Sequence, residues 1–338
     1  EGYTGNCHAP TTGFEGDPFQ CTERLYMTDT QDDPDQAPSD NEPFGSPSDD
    51  TTKLYEVEID GNGNAVLTER FDFTGMADND EDGAGDFNHV VSLAASADGD
   101  VIYAIDKFSK HLGRYDVGSG SFTDAGEISG APDASLQAAV SPGGKLYFTA
   151  FGEDELYVIN DPKNSTTVDE TISLTDGNGD PIEVGGSDIV FLSDGTLFLI
   201  DGNVNDNTAD LYKLSDPSTG NAQLVTELPE DVDLPGLSVR AAGDGNIIGS
   251  DSQNDQLYEI DPSDGSMVAT YPMVESDGSG FDHQFGDMTV GPLCPEHCVA
   301  LAWYVPRDVG NEIQSDTYSF DLTFETEQCR HNEEPFSS

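Results

Sequence analysis

"QLYEIDPSDGS", residues 256–266, alternates apolar and polar residues and then runs into Asp, Pro, Ser and Gly. Alternation of this kind marks a half-buried strand, and the last residues are turn formers. Near-copies recur as "KLYEVEIDGNG" at 53, "HLGRYDVGSGS" at 111, "ELYVINDPKNS" at 155 and "DLYKLSDPSTG" at 210. A second unit stands ahead of the copies: "SLAASADGDVIYAID" at 92, "QAAVSPGGKLYFTAF" at 137, "DIVFLSDGTLFLID" at 188 and "VRAAGDGNIIGSD" at 239. Two apolar strands there flank a turn that holds Gly99, Gly144, Gly195 or Gly245, where a hairpin needs a positive φ. Those glycines are spaced by 45, 51 and 50 residues, the length of a four-stranded propeller blade.

Counting repeats predicts an all-β fold, a six-bladed β-propeller of four-stranded antiparallel blades with its ring closed near the termini. The expected blades cover about 20–75, 88–130, 135–175, 186–229, 236–275 and 285–327 of a single 338-residue domain. An acidic, Pro-rich insertion at 31–50 interrupts the first, and cysteine-containing segments 1–21 and 329–338 flank the ring. A pair of β-sandwiches, the competing fold, does not predict so regular a period.

Asp and Glu number 67 against 12 Lys and Arg, a formal charge of -55. Such self-repulsion calls for screening by salt or divalent cations, which points to a saline or calcium-rich setting. Nucleic acid is disfavoured as a partner because phosphate binding needs clustered cations. An anionic membrane surface is disfavoured likewise. No apolar run approaches the roughly 18 residues of a spanning helix. A start at Glu1 predicts a mature, secreted or cell-surface chain whose signal peptide has been removed. Cys7, Cys21, Cys294, Cys298 and Cys329 sit near the two ends, a placement that suggests end-fastening disulfides with one thiol over. Cys7 or Cys21 with Cys329, and Cys294 with Cys298, are the preferred pairings, and the sequence leaves the connectivity open. A zinc site using His8, His297 or His331 is the alternative reading of the same residues.

In "DNDEDGAGDFNH", residues 78–89, Asp78, Asp80 and Asp82 followed by Gly83 reproduce the opening of a calcium loop, with Asp86 at the later, water-bridged position. His89 stands where that loop carries a bidentate Glu, so the match is partial. Hydrolase elbows, zinc-protease helices and nucleotide loops have no counterpart in the chain. "NST" at Asn164 is a glycosylation sequon.

The order of strand, Asp-Gly turn, "LY" or "LF" strand, Asp, loop, "LY" strand and Asp-Pro-Ser-x-Gly resembles secreted six-bladed propellers of the NHL and SMP-30/gluconolactonase-like superfamily, best over residues 88–275. That resemblance implies a calcium ion at the mouth of the central channel, with Asn88, Asp188 and Asp287 at the matching positions, Ser135 and Ser238 at comparable ones, and His89 or His283 as the nearby base of a hydrolase. Two functions follow. One is a non-catalytic extracellular propeller, a binding or structural subunit at a cell surface, in a matrix or in a polymer, with a protein or carbohydrate surface or its own copies as partner. The other is a calcium-dependent lactonase or phosphoesterase.

Overall fold

A computed structural model describes residues 24–31, 51–73, 87, 89–203, 208–229, 234, 236–240, 245–251, 254–283 and 286–291. All belong to one of two compact units, the one spanning Thr11–Pro295. Twenty strands run in chain order: β1 (Arg24–Gln31), β2 (Thr51–Ile59), β3 (Ala65–Asp72), β4 (Val90–Ala95), β5 (Val101–Asp106), β6 (His111–Asp116), β7 (Ser121–Glu127), β8 (Leu136–Val140), β9 (Leu146–Ala150), β10 (Glu155–Ile159), β11 (Glu170–Ser173), β12 (Gly186–Phe191), β13 (Leu197–Asn203), β14 (Thr208–Leu214), β15 (Gln223–Glu227), β16 (Gly236–Val239), β17 (Ile247–Asp251), β18 (Gln256–Ile260), β19 (Met267–Glu275) and β20 (Met288–Gly291).

Strands β4 to β7, β8 to β11 and β12 to β15 form three four-stranded antiparallel sheets. The fourth sheet has eight strands in the order β16-β17-β18-β19-β3-β2-β1-β20, which is two blades of four joined edge to edge. The join is a parallel pairing of Met273, Val274 and Glu275 with Ala65, Val66 and Leu67. It is the longest case of a recurring contact, since single parallel bridges Ser129 to Thr167 and Thr175 to Asn221 link other neighbouring blades in the same way.

Of the six expected blades, the one placed at 285–327 lies mostly outside the described residues. The described residues form five, because β20, the strand expected to open a blade at 285–327, instead pairs with β1 as the innermost strand of the blade at 24–72. The rest of that expected blade, from 292 onward, lies outside the described residues. Five apolar cores, one at each seam, carry the ring round: β1 to β3 on β4 to β6, β4 to β7 on β8 to β10, β8 to β10 on β12 to β14, β12 to β14 on β16 to β18, and β16 to β19 on β1 to β3 with β20. A strand added from a distant part of the chain covers the edge of β1, which otherwise exposes its inner backbone groups.

Burial follows position in the blade. Inner strands β4, β8 and β20 are buried at every residue, whereas the outer strands β7, β11 and β15 are largely exposed. An inner strand touches the axis and both flanking blades, so both of its faces must be apolar.

The turn that ends each "LY" strand has a physical explanation. Asp261 accepts a hydrogen bond from the Ser263 N–H at 2.8 Å, and Gly265 turns the chain with φ 73°. Asp216 and Gly220, φ 65°, do the same one blade earlier. A Cβ at Gly220 would run into the Ser173 carbonyl, and one at Gly265 into Thr226, both on the outer strand region of the preceding blade. Glycine therefore serves the seam between blades as well as the turn. Gly99, Gly144, Gly195 and Gly245 all have the positive φ that their hairpins require.

Candidate functional site

Strand pairing identifies one equivalent position on each inner strand. Ser92 pairs with Ile105, Gln137 with Thr149, Asp188 with Ile200 and Gly236 with Ser250, while Asp287 immediately precedes β20. These five positions form a ring at the end of the axis where the inner strands begin. Both aspartates are fully buried. Asp188 accepts from its neighbour Ile189 N–H at 2.7 Å and from Leu237 N–H on the next inner strand. Asp287 accepts from Met288 N–H and, at 2.6 Å, from Leu93 N–H on the inner strand that follows it round the ring. Each carboxyl thus ties its own blade to the next.

Gly236 is what lets the two meet. It occupies the ring position between them, and a Cβ there would lie 2.8 Å from the Asp287 Cα and 2.9 Å from the Met288 nitrogen. With no side chain in the way, the Asp188 and Asp287 carboxyls come close enough for each to act on the other's protonation. Burial first, and then the Asp287 charge, raise the Asp188 pKa well above the usual carboxylate range. Burial likewise pushes Asp287 up to about 7, against the lowering effect of its hydrogen bonds. Two carboxyl groups in contact away from water need a proton or a cation between them.

The donor chemistry fits a hard cation. Ser92 is 0% and Gln137 9% exposed, and the Ser92 Oγ and Gln137 Oε1 are buried without a hydrogen-bond partner. With the two carboxylates they make a set of carboxylate, amide and hydroxyl oxygens, the types that calcium takes. Among the described residues no three of His, Cys, Asp and Glu group as metal ligands, so the neutral oxygens are needed to complete the set.

Below the ring the axis is nearly filled. A cavity of about 20 Å³ is lined by residues of all five inner strands, among them Leu93, Ala138, Ile189, Leu237 and Met288. That is room for about one water molecule.

Of the expected site residues, Asp188 and Asp287 come together. Asn88, the calcium-loop residues Asp78, Asp80, Asp82 and Asp86, and Cys7, Cys21, Cys294, Cys298 and Cys329 lie outside the described residues. Ser92 and Gln137 hold the ring positions of their blades, and Ser238 sits lower, on the wall of the cavity. His89 meets Phe108 edge to face, with ring centroids 5.2 Å apart. His283 is buried and its Nδ1 lies 3.0 Å from Asp29.

A second set of carboxylates escaped the sequence reading although its signal was in view. Asp29, Asp106, Asp201 and Asp251 stand at one register position near the end of the second strand of four blades, the final Asp of "YMTD", "YAID", "FLID" and "IGSD". Asp106 accepts from the N–H groups of His89, Phe108 and Ser109 at 2.8 to 2.9 Å, and Asp201 from Gly185 N–H at 2.7 Å. His89 and Gly185 each stand three residues before a ring position. These aspartates are therefore positioning residues that fix the chain leading into the axial ring. Burial raises the pKa of both Asp106 and Asp201.

No family model matches the chain, and no curated protein matches it. Solved structures to which it is similar include a chain of a nidogen/laminin complex, at 12% identity over 80% of this chain and 100% of that one with a TM-score of 0.47. Virginiamycin B lyase from Staphylococcus aureus is similar at 16% identity over 73% and 74% of the two chains, TM-score 0.38. A candidate gluconolactonase, named for the group that the blade motifs resemble, is similar at 14% identity over 70% and 76%, TM-score 0.38. At such identities and TM-scores no residue role passes from them to this chain. The sheets themselves define the class: a β-propeller with buried oxygen-bearing side chains at one end of its axis.

Proposed function

We propose that this protein is a non-catalytic extracellular propeller, a binding or structural subunit of a cell surface, matrix or polymer, suited to saline surroundings and stabilised by calcium. One observation carries the reading: the axis is packed shut, with Asp188 and Asp287 at 0% exposure above a cavity of about 20 Å³. Neither carboxylate presents exposed surface to a substrate. Calcium would be held by Asp188, Asp287, Gln137 and Ser92, where it supplies positive charge that binds the inner strands to one another. The segment with Asp78, Asp80, Asp82 and Asp86 is a second candidate for the same ion. Partners would dock on the outer faces of the ring, and a charge of -55 favours cationic or neutral surfaces over nucleic acid.

Melting curves of Ser92→Ala and Gln137→Ala in calcium and in chelator test the axial part. Both atoms lack partners, so neither variant breaks a hydrogen bond of that atom, and each loses much of the rise that calcium gives the parent. An unchanged calcium response in both would remove calcium from the axis. Turnover of lactones or phosphomonoesters that needs calcium and disappears in Asp188→Asn would overturn the non-catalytic reading.

A further inference from the structure

The turn after β10 is held more firmly than its sequence requires. Asn164 and Ser165 donate their N–H groups to the Asp161 carbonyl at 3.0 and 2.9 Å. Lys163 Nζ reaches Asp98 at 2.8 Å, and Arg114 donates to the Pro162 carbonyl at 2.9 Å and to the Ser165 carbonyl at 3.4 Å. The chain has only 12 Lys and Arg, and two of them brace this one turn. Asn164 stands exposed on it, its Nδ2 donating to the Asp161 carboxylate at 3.0 Å. Two residues on, the Thr166 carbonyl accepts from Ser129 of the neighbouring blade at 2.9 Å, so the triplet Asn164-Ser165-Thr166 is displayed in a fixed conformation.

We propose that Asn164 is a site of N-linked glycosylation. An oligosaccharide would meet no obstacle there. The β10–β11 connection lies at the end of its blade where the β8–β9 hairpin turns, opposite the end where the inner strands begin, so a glycan would leave the axial ring clear. One Nδ2 hydrogen remains after attachment, enough to keep the bond to Asp161. In the transfer the Asn164 Nδ2 attacks the anomeric carbon of a lipid-pyrophosphate-linked oligosaccharide. The C–N bond forms, the C–O bond to pyrophosphate breaks with its electron pair leaving on the lipid pyrophosphate, and the Nδ2 loses a proton. A sugar at this position adds solvated bulk without charge to a surface already dense in carboxylates.

The inference rests on the extracellular reading, so the test separates the two. The full chain is recovered from its natural source after fractionation into medium, cell surface and cytoplasm, and its tryptic peptide 164–213 is weighed before and after enzymatic removal of N-glycans. The expected result is an extracellular protein whose peptide carries a saccharide mass that the enzyme removes, converting the asparagine to aspartate. Thr166→Ala, made in the same host, keeps Asn164 but destroys the sequon, and its peptide appears at the plain mass. A peptide found only unmodified overturns the proposal: in an extracellular protein the glycan alone fails, and in a cytoplasmic one the extracellular reading fails with it.

Discussion

Asp287→Asn in chelator isolates what the two axial carboxyls do to each other. In the parent, Asp287 has an unfolded value of 3.8 and a folded value raised to about 7, and Asp188 is raised as well. Between those values the native state holds a proton that the unfolded chain has lost. Stability is therefore fullest at low pH, falls as pH rises through the window and levels off above it. One retained proton corresponds to roughly 1.4 kcal/mol per pH unit, on the order of 4 kcal/mol across the window. The substitution is not silent at low pH, because it turns one of the two oxygens that accept from Leu93 and Met288 into an NH₂ donor.

One buried N–H is left without an acceptor, which costs about 1–3 kcal/mol at acid pH. The amide also removes the need for a shared proton. Equilibrium unfolding by denaturant, at high salt to screen the surface carboxylates, should therefore give two lines that converge as pH rises. The parent is the more stable at pH 5, and the gap narrows or reverses above pH 7. Parallel lines between pH 5 and 7.5 would refute the shared proton and, with it, the contact between Asp188 and Asp287.

Other perturbations follow from the same geometry. Gly236→Ala drives a Cβ against the backbone of Asp287 and Met288, which has little freedom to move, so a loss of about 1–3 kcal/mol or more is expected by chemical denaturation. Wild-type stability in that variant would mean that the two aspartates do not meet across the glycine. Asp106→Ala strips the acceptor from three backbone N–H groups and should cost at least about 2 kcal/mol, with faster amide exchange at His89, Phe108 and Ser109. Unchanged exchange there would remove its positioning role. Asp60→Ala touches an exposed turn whose carboxylate accepts from Asn62 and Asn64 at 2.8 Å, and its effect on melting should stay small and independent of calcium. A calcium-dependent loss would mark that turn as a cation site.

The repeated units were enough to determine strands, hairpins and a blade-length period, because each depends on local alternation and on glycines at a handful of turns. "DGTLFLID" reads as a hairpin's second half wherever it stands, and Gly195 adopts the φ of 90° that this reading requires. Asp188 and Asp287 were legible as channel-mouth candidates because both stand at the start of apolar inner strands in matching motifs. The sheet that β20 joins was not. A strand as short as Met288–Gly291 has the same composition whether it begins a new sheet or completes one opened far earlier in the chain, and only its pairing with Arg24–Met27 decides. Gly236, Ser92 and Gln137 were hidden for a related reason: ring positions are defined by pairing with the second strand, and a bulge between Val90 and Ser92 shifts that register. Local sequence fixes which residues face one side of a strand, whereas convergence on an axis comes from packing blades against one another.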